Sequence, residues 1–219
     1  MIRAALFDFD GTIADTAPDL AGTANDMRVA RGMDPLPMEA LRPMVSAGAR
    51  GMIGVAFGVD KDAQGFETLK TEFLDRYEQR MTQASVLFSG VAELLVELEQ
   101  RSVPWGVVTN KAQRFAEPLV PAMGLRPRVL ICGDTTAYAK PHPEPLLEAA
   151  RRLGVPSSAC AYVGDDLRDV QAARAAGMRS VIATYGYLGD AGSPETWGAD
   201  AMAQSVPDIL GILDGWMTR

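Results

Sequence analysis

The sequence predicts an α/β protein: a Rossmann-like parallel sheet covered by helices on both faces, with a small helical bundle inserted after the first strand. Two observations predict it. From about residue 91 onward, short apolar segments alternate with segments of helical periodicity, which is typical of parallel strands buried on both faces. Before that, residues 18–84 show helical periodicity with almost no strand signal.

The first predicted strand is the apolar segment 2–9, which ends in acidic residues and is broken by Gly11 and Thr12. The clearest helix of the helical stretch covers residues 65–81, because large apolar side chains recur there every three or four positions: Phe66, Leu69, Phe73 and Tyr77. This stretch interrupts the α/β pattern directly after its first strand, so we interpret it as an insertion.

The remaining elements alternate as an α/β domain requires. Helices are expected over residues 91–101, 111–123, 143–153, 167–176 and 207–216. Strands are expected over residues 103–108, 129–132, 160–163, 180–183 and 201–203. We therefore predict a catalytic core formed by residues 1–15 and 85–219, and a helical cap domain formed by residues 16–84.

Composition limits the classes of partner. The chain has 219 residues and a formal net charge of −7, which argues against nucleic acid or an anionic membrane surface, since both require a basic face. A small anionic substrate remains compatible, because a metal ion and a lysine can make one cleft positive. Acidic residues come too early for a signal peptide, and no apolar segment reaches the ~20 residues of a membrane helix. We expect a cytoplasmic protein whose Cys132 and Cys160 are reduced thiols of the core.

Two acidic residues follow the first predicted strand. Asp8 and Asp10 are two positions apart, so in an extended chain their carboxylates face the same side. Paired carboxylates repel each other unless a cation or a shared proton relieves them. A pair that merely caps a loop or a helix is the alternative. Because ligands of such sheets bind beyond the carboxyl ends of the strands, we favour a functional pair.

Polar residues also follow the next strands. Thr109 and Asn110 come after the strand 103–108, where a hydroxyl and backbone amides at a helix start suit phosphate oxygens, although such a pair is also an ordinary helix cap. Lys140 precedes the helix 143–153. Most lysines are solvated, but here a cation could hold both a phosphate and the carboxylate of Asp8. Thr109, Asn110 and Lys140 are therefore candidate substrate-binding residues.

Three acidic residues follow the strand 160–163: Asp165, Asp166 and Asp169. A helix N-terminus favours negative charge, so the cluster has a purely structural explanation. The functional interpretation is that Asp165 binds a hard cation. Asp169, one turn further along, would then accept hydrogen bonds that support the metal site.

Together, in this order and at strand ends, these residues resemble the haloacid dehalogenase superfamily in its phosphatase branch, over essentially the whole chain. The resemblance implies that Asp8 is the nucleophile and Asp10 the general acid/base. It implies that Thr109 binds phosphate and that Lys140 balances charge. Magnesium, the implied cofactor, would be held by Asp8, the backbone carbonyl of Asp10, and Asp165. The carboxylate of Asp10 separates this branch from the dehalogenases, which lack one there, and from the transport ATPases, which carry threonine.

The reaction that this resemblance implies is hydrolysis of a phosphomonoester through an aspartyl-phosphate on Asp8. Repulsion between the anionic nucleophile and the dianionic ester is the main obstacle, so positioning and charge neutralisation supply most of the catalysis. Asp10 would protonate the leaving oxygen and then take a proton from the attacking water. The expected partner is a small phosphorylated metabolite, and the sequence leaves the oligomeric state open.

The substrate is predicted from the insertion and from late segments. Arg50, in the expected substrate-facing loop 46–50, could pair with a carboxylate of the substrate; a solvated helix residue is the alternative. The chain resembles the phosphoglycolate-phosphatase-like subfamily in residues 46–50, 106–118 and 163–178. Residues 185–187 and 197–200 are similar to N-acetylmuramic acid 6-phosphate phosphatases. We therefore expect N-acetylmuramic acid 6-phosphate as the substrate, with 2-phosphoglycolate as the alternative.

Two other classes of function are less favoured. A phosphomutase would form the same aspartyl-phosphate but pass the phosphoryl group to a second hydroxyl. Mutases of this type usually have a Glu-Asp pair where this chain has Gly164 and Asp165, which counts against that interpretation. The complete set of charged residues at the strand ends argues against a non-catalytic binding module.

Overall fold

The computed structural model describes residues 1–218. The strands are β1 (Ala4–Phe7), β2 (Ala14–Asp15), β3 (Val86–Leu87), β4 (Trp105–Val108), β5 (Leu130–Ile131), β6 (Cys160–Gly164), β7 (Arg179–Ala183) and β8 (Ala201–Ala203). The helices are α1 (Ala17–Val29), α2 (Met38–Leu41), α3 (Gly48–Phe57), α4 (Phe66–Arg80), α5 (Val91–Gln100), α6 (Gln113–Ala122), α7 (Glu144–Leu153), α8 (Leu167–Ala175) and α9 (Val206–Met217).

In this part of the chain, six parallel strands form one sheet in the order β5-β4-β1-β6-β7-β8. Every residue of β1, β4 and β6 is buried, as expected for strands covered on both faces. Successive β1 residues face opposite layers: Phe7 belongs to the core cluster that contains residues of α5 and α9, whereas Leu6 belongs to the cluster that contains residues of α7 and α8. The predicted α/β sheet with helices on both faces is confirmed.

Helices α1 to α4 lie between β2 and β3, where α1, α3 and α4 pack against one another. The short strands β2 and β3 pair antiparallel, with Ala14 opposite Leu87 and Asp15 opposite Val86. The sequence did not predict this pair, because two residues are too few to show an alternating pattern. The pair flanks the predicted insertion, residues 16–84. The division into a core and a cap domain remains a prediction.

Some predicted boundaries were too wide. The first strand was expected over residues 2–9, but β1 has only four residues, and the last backbone hydrogen bond to β6 is donated by Asp8. Cys132 and Cys160 are buried free thiols, as predicted. No helix within residues 1–218 combines the length and apolar character needed to cross a bilayer.

Candidate active site

Asp8 lies directly beyond the end of β1, at the centre of the sheet. Its backbone N–H donates to the carbonyl of Val163 in β6, so the chain stays extended up to this residue. One carboxylate oxygen, Oδ1, accepts a hydrogen bond of 2.7 Å from the backbone N–H of Phe9. Gly11 then turns the chain with φ of +84°, a conformation that favours glycine. The expected tight exit after the acidic pair is therefore present.

Lys140 is buried beside Asp8. Its Nζ lies 2.9 Å from Oδ1 of Asp8 and 2.8 Å from Oδ1 of Asp169. It also contacts the carbonyl of Val108 at 3.0 Å and the hydroxyl of Tyr162 at 2.6 Å. Burial alone would lower the pKa of Lys140, but the attraction of the two carboxylates outweighs it, so the pKa is raised. Lys140 therefore supplies a fixed positive charge at the end of β1.

Three carboxylates converge at this edge: Asp8, Asp165 and Asp169 each place an oxygen within 4.8 Å of the others. Asp165 accepts hydrogen bonds from the hydroxyl of Thr12 at 3.1 Å and the N–H of Tyr187 at 2.8 Å, and it has no ion-pair partner among residues 1–218. Asp169, in contrast, forms an ion pair with Lys140.

The pKa values of Asp8 and Asp165 are both raised, chiefly because the two carboxyl groups are buried and in addition because neighbouring carboxylates repel them. Burial raises the pKa of Asp165 well above its usual range, and the charge of Asp8 adds to the effect. Burial raises the pKa of Asp8 to about 7, against the lowering effect of Lys140. Hard oxygen donors with uncompensated negative charge suit Mg²⁺. Asp8 and Asp165 are therefore suitable ligands for the Mg²⁺ ion that the sequence predicts.

Asp10 faces a different set of partners. Its Oδ1 forms an ion pair of 2.9 Å with Nζ of Lys111 and accepts a hydrogen bond from the hydroxyl of Thr16. Neither partner was predicted. Lys111 lies in the turn between β4 and α6, where a lysine usually reaches solvent, yet its side chain is buried. Its contact with Asp10 depends on the neighbouring β1 and β4 strands, so no local pattern indicated it.

The two polar residues after β4 are both at the site. Thr109 is buried, and its hydroxyl accepts a hydrogen bond of 3.1 Å from the N–H of Lys111. The side chain of Asn110 donates to the carbonyl of Lys140 and accepts from its N–H, both at 2.9 Å. Asn110 therefore fixes the backbone that carries Lys140, and its predicted contact with the substrate remains a prediction.

These residues border a cavity of about 310 Å³. Its polar end contains Asp8, Asp10, Thr109 and Lys140. Much of the remaining wall is formed by residues 45–49 and by α1, α4 and α6, with large apolar side chains: Leu20, Val45, Phe73, Leu74, Tyr77 and Phe115. The size is within the range of small-molecule sites.

The structure does not bring Arg50 to this cavity. Arg50 lies in the first turn of α3 and is exposed, whereas residues 46–49 of the predicted substrate loop do line the wall. A cation that does line it is Arg168 of α8, which sequence reasoning missed. Arg168 pairs with Asp166 at 2.8 Å and donates to the carbonyl of Ser46 at 2.6 Å. It thus joins α8 to the 3-10 helix Arg42–Ala47, where the sequence predicted a loop.

Comparison with known proteins decides the family, because the pattern of the haloacid dehalogenase-like hydrolases matches residues 5–183. The chain belongs to this family. It is 42% identical over 215 residues to the N-acetylmuramic acid 6-phosphate phosphatase of Pseudomonas aeruginosa, covering 97% of this chain and 95% of the relative. It is 49% identical over 210 residues to the phosphoglycolate phosphatase of Xanthomonas campestris pv. campestris, covering 94% of each.

The haloacid dehalogenase-like fold is also found in solved structures. The crystal structure of a predicted phosphoglycolate phosphatase from Haemophilus somnus 129PT matches with a TM-score of 0.83 at 25% identity, covering 97% of this chain and 98% of that one. Together with the relatives, this likeness identifies the chain as a phosphomonoester hydrolase. The predicted family and class of enzyme are confirmed.

Proposed function

We propose that this hydrolase is a magnesium-dependent phosphatase that cleaves a small carboxylate-bearing phosphomonoester, preferentially N-acetylmuramic acid 6-phosphate, in the cytoplasm. Asp8 is the nucleophile and forms an aspartyl-phosphate. The observation that carries the proposal is the position of Asp8. It lies at the end of the central strand, in contact with Lys140 and the acidic cluster, at the polar end of the cavity.

The chain's own residues supply most of what the reaction needs. Lys140 and the N–H of Phe9 both contact Oδ1 of Asp8, which fixes the orientation of the carboxylate. Lys140 also offsets the charge of an incoming phosphate. Bound Mg²⁺, held by Asp8, the carbonyl of Asp10 and Asp165, would neutralise part of the phosphate charge.

Asp10 acts as the general acid and general base. Its carboxylate is oriented by Lys111 and Thr16 and lines the cavity near Asp8. It protonates the leaving oxygen in the first half-reaction and accepts a proton from water in the second. Residues 16–84 act as a cap that covers the cavity with α4 and residues 45–49, which excludes bulk water during the first step.

The character of the cavity wall favours the larger substrate. Six large apolar side chains line it, whereas 2-phosphoglycolate has a single methylene between two anionic groups. A sugar acid presents C–H faces that pack on aromatic rings, and contacts remote from the phosphate lower the barrier of the reaction. Arg168 lines this wall in an ion pair with Asp166, and in this proposal it attracts a carboxylate of the substrate, with the exposed Arg50 as the alternative.

2-Phosphoglycolate is the second candidate because a phosphoglycolate phosphatase is among the relatives of higher identity, at 49%. A panel of phosphate esters separates the two. We expect the highest kcat/KM for N-acetylmuramic acid 6-phosphate, in the presence of Mg²⁺ and not after its removal by chelation. A higher kcat/KM for 2-phosphoglycolate would make that ester the preferred substrate and would leave the proposed reaction mechanism unchanged. Undiminished turnover after chelation would contradict the metal requirement.

A further inference from the structure

The hydroxyl of Tyr77 is a buried polar group that makes no well-aligned hydrogen bond in the part of the chain that the structure describes, although the ammonium of Lys111 lies close enough to lower its pKa. Tyr77 lies on α4, is 2% exposed and lines the cavity. Buried hydroxyls nearly always have a partner, because leaving one unpaired costs free energy. A hydroxyl that lacks a well-aligned partner in the wall of a binding cavity is available to a polar atom of the ligand.

The ring of Tyr77 is held by its neighbours. It lies nearly parallel to Phe73 with centroids 6.4 Å apart, and it is tilted by 60° against Phe115 at 5.4 Å. Nζ of Lys111 lies 4.8 Å from its centroid. These contacts leave the ring little freedom to turn its hydroxyl toward solvent, so the position of the hydroxyl is a fixed feature of the cavity.

Tyr77 lies on the side of the cavity where the leaving group is expected. Lys111 contacts both the ring of Tyr77 and the carboxylate of Asp10, and Asp10 is the residue that protonates the leaving oxygen in the proposed mechanism. Burial raises the pKa of the Tyr77 hydroxyl, so at neutral pH it is protonated and is able both to donate and to accept a hydrogen bond.

We propose that the Tyr77 hydroxyl is a specificity-determining group that forms a hydrogen bond with a polar atom of the leaving group, remote from the phosphate. The inference rests on the proposed phosphatase function. It defines the substrate class as phosphate esters whose leaving group carries hydroxyl, amide or carboxylate groups. A site built to hydrogen-bond a substrate discriminates strongly against analogues that lack the partner, because its buried polar group is then left unpaired.

The test compares wild-type protein with Tyr77→Phe, which keeps the ring and removes only the hydroxyl. The substrates are N-acetylmuramic acid 6-phosphate and phenyl phosphate, whose leaving group has no polar atom beyond the ester oxygen. We expect kcat/KM to fall roughly 10- to 100-fold for the sugar phosphate, and at least about tenfold more than for phenyl phosphate. An equal loss on both substrates would overturn the proposal.

A structural role of the hydroxyl is tested in the same samples. Since Tyr77→Phe removes an unpaired buried group, we expect its melting temperature to equal or exceed that of wild type; a clear decrease would show an internal partner and overturn the inference. Tyr138→Phe is the matched control, because Tyr138 is 58% exposed and lies outside the cavity wall. If the wild type prefers 2-phosphoglycolate, the proposed substrate is wrong. Wild type and Tyr77→Phe are then compared on 2-phosphoglycolate and phenyl phosphate.

Discussion

Lys111 and Asp10 form a partly buried ion pair of 2.9 Å that joins the first turn after β4 to the loop after β1. Thr16 donates to the same carboxylate oxygen from the start of the insertion. The orientation of Asp10 therefore depends on two segments that meet only in the folded protein. The proposed proton transfers require a carboxylate fixed toward the leaving oxygen, and this pair supplies that constraint.

Lys111→Met tests whether the pair orients Asp10. The variant keeps an unbranched side chain under Tyr77 but removes the charge, so we expect kcat to fall roughly 10- to 100-fold, as for a lost hydrogen bond to a charged group. The half-saturating Mg²⁺ concentration should change little, because Lys111 contacts none of the three clustered carboxylates. Lys111→Arg should recover part of the rate. Full activity of Lys111→Met would contradict this role.

Asp165→Asn tests the metal site through stability. Asp165 is a buried carboxylate without an ion-pair partner in residues 1–218, so removing its charge should stabilise the metal-free protein. With chelator we expect a melting temperature a few degrees higher than wild type, since about 1 kcal/mol shifts Tm by roughly 2–4 °C at this size.

Added Mg²⁺ should raise the melting temperature of wild type but not of Asp165→Asn, because a ligand that binds only the folded state stabilises it. Asp62→Asn, which changes an exposed acid, is the control and should behave as wild type. The site assignment would be wrong if Mg²⁺ stabilised Asp165→Asn as strongly as wild type.

Gly186→Ala tests how the loop after β7 supports Asp165. A Cβ at Gly186 would overlap the side chain of Asp165 and approach the carbonyl of Gly11 to 2.5 Å. We expect a loss of about 1–3 kcal/mol of stability from overpacking and a higher Mg²⁺ requirement. Gly211→Ala is the matched control: it lies in α9, where a Cβ meets nothing within 4 Å, and should be neutral or stabilising by up to about 1 kcal/mol. Equal stability of the two variants would contradict this packing.

The sequence predicted the fold and the polar edge of the site because both follow from short-range patterns. Apolar segments of strand length indicate a covered parallel sheet, and the carboxyl ends of parallel strands meet at one edge. These two patterns predicted that Asp8, Thr109, Lys140 and Asp165 lie at the same edge of the sheet. The short strands β2 and β3 were missed because two residues carry no periodic signal.

The wall of the cavity could not be predicted in the same way. Tyr77 was recognised only as one position of a helical apolar stripe, and Arg168 was not singled out. Their positions in the cavity depend on how α4 and residues 45–49 pack over the core, which no local pattern encodes. Arg50 was proposed from its loop alone, and the start of α3 at Gly48 leaves it exposed.

The central claim, that Asp8 is the nucleophile, is tested most directly by trapping the enzyme during turnover. The protein is mixed with substrate and Mg²⁺, quenched in acid within milliseconds and digested, and the phosphorylated peptide is located by mass spectrometry. We expect a phosphoryl group on Asp8 in wild type and none in Asp8→Asn, which should remain folded but release no phosphate. A phosphoryl group on another residue, or phosphate release by Asp8→Asn at the wild-type rate, would contradict the mechanism.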